Sequence, residues 1–317
     1  MSPFSSDLES ACRIAALGLP AVRRLFRSSL PRESKDLLYH IAVSRRLSYD
    51  HGFKVKTYYG DWFSGNTKDV IGSMIYYFGI WEPAISEYVT RTLRPGDTFV
   101  DVGANQGWYT ILASRLTGPT GRVVAIEACS PIFLSLQRNI SLNRCENVMA
   151  IHSAAWNTQE SLELYQGPKD NMGSTSVCRE HINRKAIASE FITAKPLSEL
   201  VPAELWPSIR LLKIDVEGAE WEVVEGMSRM LESLPEDVEF ITEITPRTLY
   251  RRGRLPEELL APFRRLGFNV YRVRNDYEVD LYLDFNTRGN AERPQRYDAP
   301  VAELSDLVLT RRDCSFL

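Results

Sequence analysis

Thr98-Phe99-Val100-Asp101-Val102-Gly103-Ala104-Asn105-Gln106-Gly107 is a short apolar strand that runs into a Gly-containing turn, and Trp108 to Leu116 continues it as a helix. A glycine-bearing turn between strand and helix lets the backbone approach a ligand closely. The next strand, Arg122 to Glu127, ends on a carboxylate. A carboxylate in that place can accept hydrogen bonds from both hydroxyls of a ribose. The pair therefore reads as a nucleoside site, with a tight ligand-free turn as the alternative.

Working outward, Ile132 to Asn143 reads as a helix and Asn147 to His152 as a third strand. Leu211 to Val216 and Val238 to Glu243 read as further strands, with helices expected over Ala219 to Leu231 and Glu257 to Leu266. Strands alternating with helices imply a doubly wound, mostly parallel sheet. The unbroken apolar run Val123-Val124-Ala125-Ile126 fits burial on both faces. A polar stretch from Gly167 to Glu190, flanked by short strands, is too long for a simple connection, so about 158–196 is expected to be a lid or acceptor-binding insertion. From Val270 to Leu309 strand pairing is expected rather than another βαβ unit. Residues 1–50 read as a helical extension ahead of a main domain over 51–317. The stretch Arg13 to Arg27 mixes arginines with apolar residues, interrupted by Pro20. Such a helix can lie on an anionic membrane surface, or pack its stripe on the main domain or on a second copy of the chain.

The turn discriminates between nucleosides. A dinucleotide's pyrophosphate calls for glycines where this chain has Asn105 and Trp108. A Cβ at the first would crowd the pyrophosphate, and an indole at the second would block helix–strand packing. S-adenosylmethionine has no pyrophosphate but carries an ammonium, which Asp101 can pair directly or through water. The donor-binding residues expected are thus Asp101, Gly103, Asn105, Gly107 and Glu127. Ser153 or Asn157, after the third strand, is expected to reach the adenine edge.

The second decisive stretch is Leu211-Leu212-Lys213-Ile214-Asp215-Val216-Glu217-Gly218-Ala219-Glu220. Alternation puts Lys213, Asp215 and Glu217 on one face. Unpaired charges inside a central strand are costly, so they either neutralise one another or face a ligand. Methyl transfer to a hydroxyl needs a group that takes the proton or a metal that lowers its pKa. Asp215, Glu217 and Glu243 are the candidate catalytic carboxylates, with Glu220 one step on. Two of them could instead hold Mg2+ with an acceptor diol. His152 and His181 stand alone, and His181 sits in the insertion.

Composition narrows the partners. The chain has 317 residues, of which 25% are charged and 44% hydrophobic, and its net charge of −3 does not point to nucleic acid. Five scattered cysteines form no CxxC pair and read as reduced thiols. The absence of a convincing signal peptide or apolar run of spanning length places the expectation in the cytoplasm.

Pro95 to Thr110 (PGDTFVDVGANQGWYT), Ala125 to Asn143 (AIEACSPIFLSLQRNISLN) and Leu211 to Met227 (LLKIDVEGAEWEVVEGM) together resemble the FkbM family of methyltransferases. The resemblance implies a class I, Rossmann-like methyltransferase sheet with an antiparallel strand at its C-terminal edge. It further implies S-adenosylmethionine as donor and O-methylation of sugars, glycolipids or polyketide-type products. On this basis Asp101, Gly103, Asn105 and Glu127 would bind the donor, and Asp215 and Glu217 would stand near the transferred methyl. Members often read EP where this chain has Glu127-Ala128, which alters the turn but keeps the carboxylate. Competing readings are a non-catalytic methyltransferase-like binding module and an NAD(P)-dependent oxidoreductase.

Overall fold

A computed structural model describes residues 19–28, 30–42, 50–168, 170–181, 188–275, 278–288 and 292–313. Contacts divide the chain into two units, one of Met1–Pro83 with Asp276–Ala291, the other of Ala84–Asn275 with Glu292–Leu317. This division departs from the boundary expected at residue 50. The reason is aromatic packing: the buried Tyr282 and Phe285 lie 5.3 Å from Phe78 and 4.9 Å from Tyr58, ring centre to ring centre.

In the first unit the hairpin β1 (Gly52–Lys56) and β2 (Trp62–Asn66) lies with the helices Leu19–Phe26, Arg32–Ala42, Val70–Phe78 and Val279–Arg288. Pro20 falls in the first turn of its helix, where a missing N–H costs nothing. Val22 and Phe26 are buried, and Arg23 donates to the Tyr76 and Lys56 carbonyls at 2.8 and 3.0 Å. Over its described part the apolar stripe, for which a membrane surface, the main domain or a second copy were the alternatives, packs into the unit's own core. Residues 13–18 of that stretch lie outside the described residues.

The second unit is built on an eight-stranded sheet in the order β12-β11-β13-β10-β9-β3-β4-β5. Its members are β3 (Thr98–Val102), β4 (Arg122–Glu127), β5 (Val148–His152), β9 (Ile209–Ile214), β10 (Glu239–Ile244), β11 (Asn269–Val273), β12 (Gln295–Arg296) and β13 (Ser305–Thr310). Strands β5, β4, β3, β9 and β10 pair in parallel, and β13 runs antiparallel between β10 and β11. This is the class I methyltransferase sheet, with its antiparallel strand near the C-terminal edge. Val100, Val124, Leu212, Phe240 and Leu307 are fully buried, and the helices supply Val223, Met230, Leu260 and Phe263 to the same core.

The expected helix over Ala219 to Leu231 is two shorter pieces, Glu220–Gly226 and Ser228–Leu231, and β9 stops at Ile214 rather than at Val216. The insertion is ordered in part as a separate three-stranded sheet, in which β8 (Ala188–Pro196) lies between β6 (Ala154–Trp156) and β7 (Glu160–Tyr165).

Chain order reverses direction across the sheet between β3 and β9, which makes their carboxyl ends the switch point where open α/β sheets bind ligands. Here the two strands' exits touch. Asp215 donates its N–H to the Val102 carbonyl at 3.0 Å. Gly103 has φ +83, and a Cβ there would lie 1.8 Å from the Asp215 carbonyl oxygen. Gly103→Ala should therefore cost more than about 3 kcal/mol of stability or prevent folding. Gly253→Ala, at φ +68 with open space around it, should cost about 1 kcal/mol. Denaturant unfolding of both variants checks the contrast.

Candidate active site

The β3 exit is a cradle of backbone held by side chains. Gly103 and Ala104 both donate to the Ile126 carbonyl, at 3.0 and 2.9 Å. Asn105 adopts φ 49, and its side chain accepts from the Gln106 N–H. Asn139 donates to the Gln106 carbonyl at 2.9 Å, and the Trp108 indole donates to Ser86 Oγ at 2.8 Å. Gly107, at φ +92, leaves space that a Cβ would take from Leu136 Cδ1 at 2.7 Å. The indole that disfavours a dinucleotide turn thus packs against the helix Pro83–Thr92.

Asp101 is buried, and its Oδ2 accepts from Thr110 Oγ1 at 2.6 Å. Its Oδ1 is buried with no hydrogen-bond partner. Burial pushes this carboxyl up to about 6, against Lys213 and Thr110, which favour the charged form. Glu127 accepts from the Asn105 N–H at 2.9 Å with one oxygen and from the Cys129 N–H at 2.8 Å with the other. Burial pushes it up to about 7 against those two donors. Glu127 therefore braces the turn, while each oxygen keeps a lone pair for a ligand hydroxyl.

At the β9 exit, Lys213 Nζ lies 2.6 Å from Asp215 Oδ2 and 4.9 Å from the Tyr109 ring centre. The two charges neutralise one another, as one of the sequence alternatives required. Glu217 adopts φ 54, and its Oε2 lies 2.8 Å from His181 Nε2. Its carboxyl is raised by burial and by Asp215, with the His181 hydrogen bond opposing. Glu220 is buried, its Oε1 accepting from the Gly218 and Val216 N–H groups, and burial pushes it up to about 7. Glu243 is buried opposite Asp306 of β13, and burial with the surrounding carboxylates holds it well above the usual range.

Two residues expected at the adenine edge make hydrogen bonds within the protein. Ser153 is buried and donates to the Thr193 carbonyl at 2.8 Å, tying β5's end to the insertion sheet. Asn157 donates to Glu225 Oε2 at 2.8 Å, at the helix Glu220–Gly226. His152 pairs with the Ala128 carbonyl and stacks on Phe133. Among the described residues no group of three or more His, Cys, Asp or Glu side chains is arranged to hold a metal ion. His181 is the residue whose importance the sequence understated, and Thr248, 3.1 Å from its Nδ1, went unseen. Nothing in spacing alone links residues 181, 217 and 248.

Residues 101–270, more than half of the chain, match the Methyltransferase FkbM domain. Over 149 residues the chain is 28% identical to Methyltransferase 1 of Beauveria bassiana (strain ARSEF 2860), a stretch covering 42% of this chain and 59% of that protein. Over 229 residues it is 25% identical to Methyltransferase sdnD of Sordaria araneosa, covering 63% of this chain and 85% of that one. A solved SAM-dependent O-methyltransferase from Thermotoga maritima is 16% identical, with 83% of this chain and 79% of that chain covered at a TM-score of 0.39. So loose a superposition transfers no property.

The raised carboxyls make stability depend on pH. Asp101, Glu127 and Glu220 hold protons in the folded state up to about 6, 7 and 7, respectively, whereas an unfolded carboxyl releases its proton near about 4. Between those values the folded state binds more protons, so stability falls as pH rises from about 4.5 to about 7.5. Thermal midpoints should drop across that window in the ligand-free protein. Glu127→Gln, which cannot release a proton, should flatten the drop.

Proposed function

The chain belongs to the FkbM methyltransferase family, and from that premise we propose that it transfers a methyl group from S-adenosylmethionine to a hydroxyl oxygen of a neutral, hydroxyl-rich acceptor. A sugar, a glycolipid headgroup or a polyketide-type product fits that description. The observation that carries the reading is the unpartnered, buried Oδ1 of Asp101 beside the Gly103–Gly107 turn. A buried carboxylate oxygen without a donor is costly, and the ammonium at the amino-acid end of the donor would satisfy it.

Charge supports the same donor. Asp101, Glu127, Asp215, Glu217, Glu220 and Glu243 gather where, among the described residues, Lys213 and His181 are the groups that balance them. A molecule bearing a sulfonium and an ammonium neutralises that excess, whereas a pyrophosphate adds to it. When bound, the donor supplies a methyl carbon on positively charged sulfur, an electrophile that needs no further activation. Asp101 and the turn would hold its amino-acid end, and the spare lone pairs of Glu127 its ribose.

Among the candidate bases, Asp215 is tied to Lys213, Glu243 is buried, its charged form disfavoured by that burial and by the neighbouring carboxylates, and Glu220 is committed to two backbone N–H groups. Glu217 has its Oε2 on His181, and its side chain is 27% exposed against 13% for the imidazole. The acceptor hydroxyl gives its proton to Glu217 as its oxygen takes the methyl carbon, the carbon–sulfur pair stays on sulfur, and the proton later passes to solvent. The acidic surroundings repel phosphate- or carboxylate-bearing acceptors near the reacting oxygen and favour hydroxyl donors.

Calorimetric titration should show saturable binding of S-adenosylhomocysteine and none of NAD, with Asp101→Asn weakening the first about tenfold or more. Labelled methyl transfer to a panel of glycans and glycolipids should fall about 100-fold or more in Glu217→Gln, with S-adenosylhomocysteine affinity within about threefold of the unaltered protein. NAD binding without homocysteine-nucleoside binding would reverse the proposal.

A further inference from the structure

Three segments far apart in the chain converge on Glu217. His181 comes from the insertion between β7 and β8, Glu217 from the turn after β9, and Thr248 from the helix Pro246–Arg251. His181 Nε2 lies 2.8 Å from Glu217 Oε2, and His181 Nδ1 lies 3.1 Å from Thr248 Oγ1. A carboxylate only accepts, so Nε2 carries the proton and Nδ1 can accept from the buried Thr248 hydroxyl.

The surroundings are built to seat this ring. Gly218 has φ +99, and a Cβ there would come within 2.8–3.0 Å of the imidazole. The segment just before the histidine is fastened to the same turn and to the helix that bears Thr248. Ser176 Oγ donates to the Glu217 carbonyl at 2.6 Å, and Cys178 Sγ to the Gly218 carbonyl at 3.1 Å. Arg251 donates to the Glu180 carbonyl at 2.6 Å, and Arg252 reaches the Gly218 carbonyl at 3.3 Å while pairing with Glu222. A segment held at Ser176, Cys178 and Glu180 sets its histidine against the turn.

We infer that His181, anchored by Thr248, is a positioning residue that fixes the Glu217 carboxylate through Oε2 and leaves Oε1 to take the acceptor's proton. The inference rests on Glu217 being the base. It also gives the insertion a task beyond covering the acceptor: without Ser176–His181 seated on the turn, the base is a loose side chain. Among the described residues, the charged groups near the ring are Glu217, Glu220 and Asp215 from the β9 exit, with Arg251 and Arg252 at the C-terminal end of the helix that bears Thr248. Burial alone would lower the imidazole's pKa, but the hydrogen bond to Glu217 and these carboxylates raise it overall.

The test is imidazole NMR of the full chain, labelled at its four histidines and saturated with S-adenosylhomocysteine, with His181 assigned from the His181→Gln spectrum. His181 should show a single Nε2–H tautomer, and Glu217→Gln should lower its pKa by about one unit or more. A ring averaging between tautomers, or a titration indifferent to Glu217→Gln, overturns the pairing. With an acceptor from the panel, His181→Gln should lower kcat about tenfold or more and displace the acid limb of the pH–rate profile, with KM and nucleoside affinity within about threefold. Thr248→Val should lower kcat severalfold and Thr248→Ser restore it. An unchanged kcat in His181→Gln overturns the positioning role. Absence of methyl transfer by the unaltered protein counts against the function above instead, and the NMR arm still decides the pairing.

Discussion

The site depends on a contact with no side chain in it. The exits of β3 and β9 meet through the Asp215 N–H on the Val102 carbonyl, and the Asp215 carbonyl occupies the space where a Cβ of residue 103 would be. Two chain segments set this close require a residue without a Cβ that tolerates positive φ, and Gly103 provides it. Because the two turns abut, Asp101 and Asp215 share one lysine, and the donor cradle and the proposed base become parts of one electrostatic system.

Among the described residues that system is short of cations. Lys213 pairs with Asp215 and favours the charged form of Asp101, His181 pairs with Glu217, Asp101 and Glu243 accept from the hydroxyls of Thr110 and Thr245, and Glu127 and Glu220 accept from backbone N–H groups. Structural ion networks in this unit are balanced differently. Glu222 receives both Arg252 and Arg254, and the fully buried Glu239 receives Arg210 together with Tyr88, Thr92 and Thr310. The contrast sets carboxylates paired with arginines apart from the raised carboxylates that the proposed function gathers around the donor.

The fold was legible because its signal is local. Strand–turn–helix alternation around Asp101 and Asp215 needs only neighbours in sequence, and apolar runs such as Val123 to Ile126 declare their burial. The turn glycines announced themselves for the same reason. Ser153 and Asn157 misled because a polar residue after a strand can serve a ligand or the protein. Their actual partners, Thr193 and Glu225, lie 40 and 68 residues on. His181 was underweighted because its worth depends on a long insertion folding back, and Thr248 carried no signal at all. The boundary at residue 50 failed for a similar reason, since Tyr282 and Phe285 belong to the first unit's aromatic cluster although the chain reaches them after most of the second.

That return of the chain has a bearing on how the protein is made. Ribosomal synthesis delivers the first unit's early helices and hairpin long before Tyr282 and Phe285 emerge to complete their core. The second unit waits longer still, because β11 joins β10 only through β13, which is among the last segments to appear. Until then both nascent bodies expose apolar surface and unpaired strand edge, the condition in which chains associate wrongly. Folding of the second unit is therefore expected to wait on β13, to be slow for its size, and to gain from chaperones that shield partly built sheets.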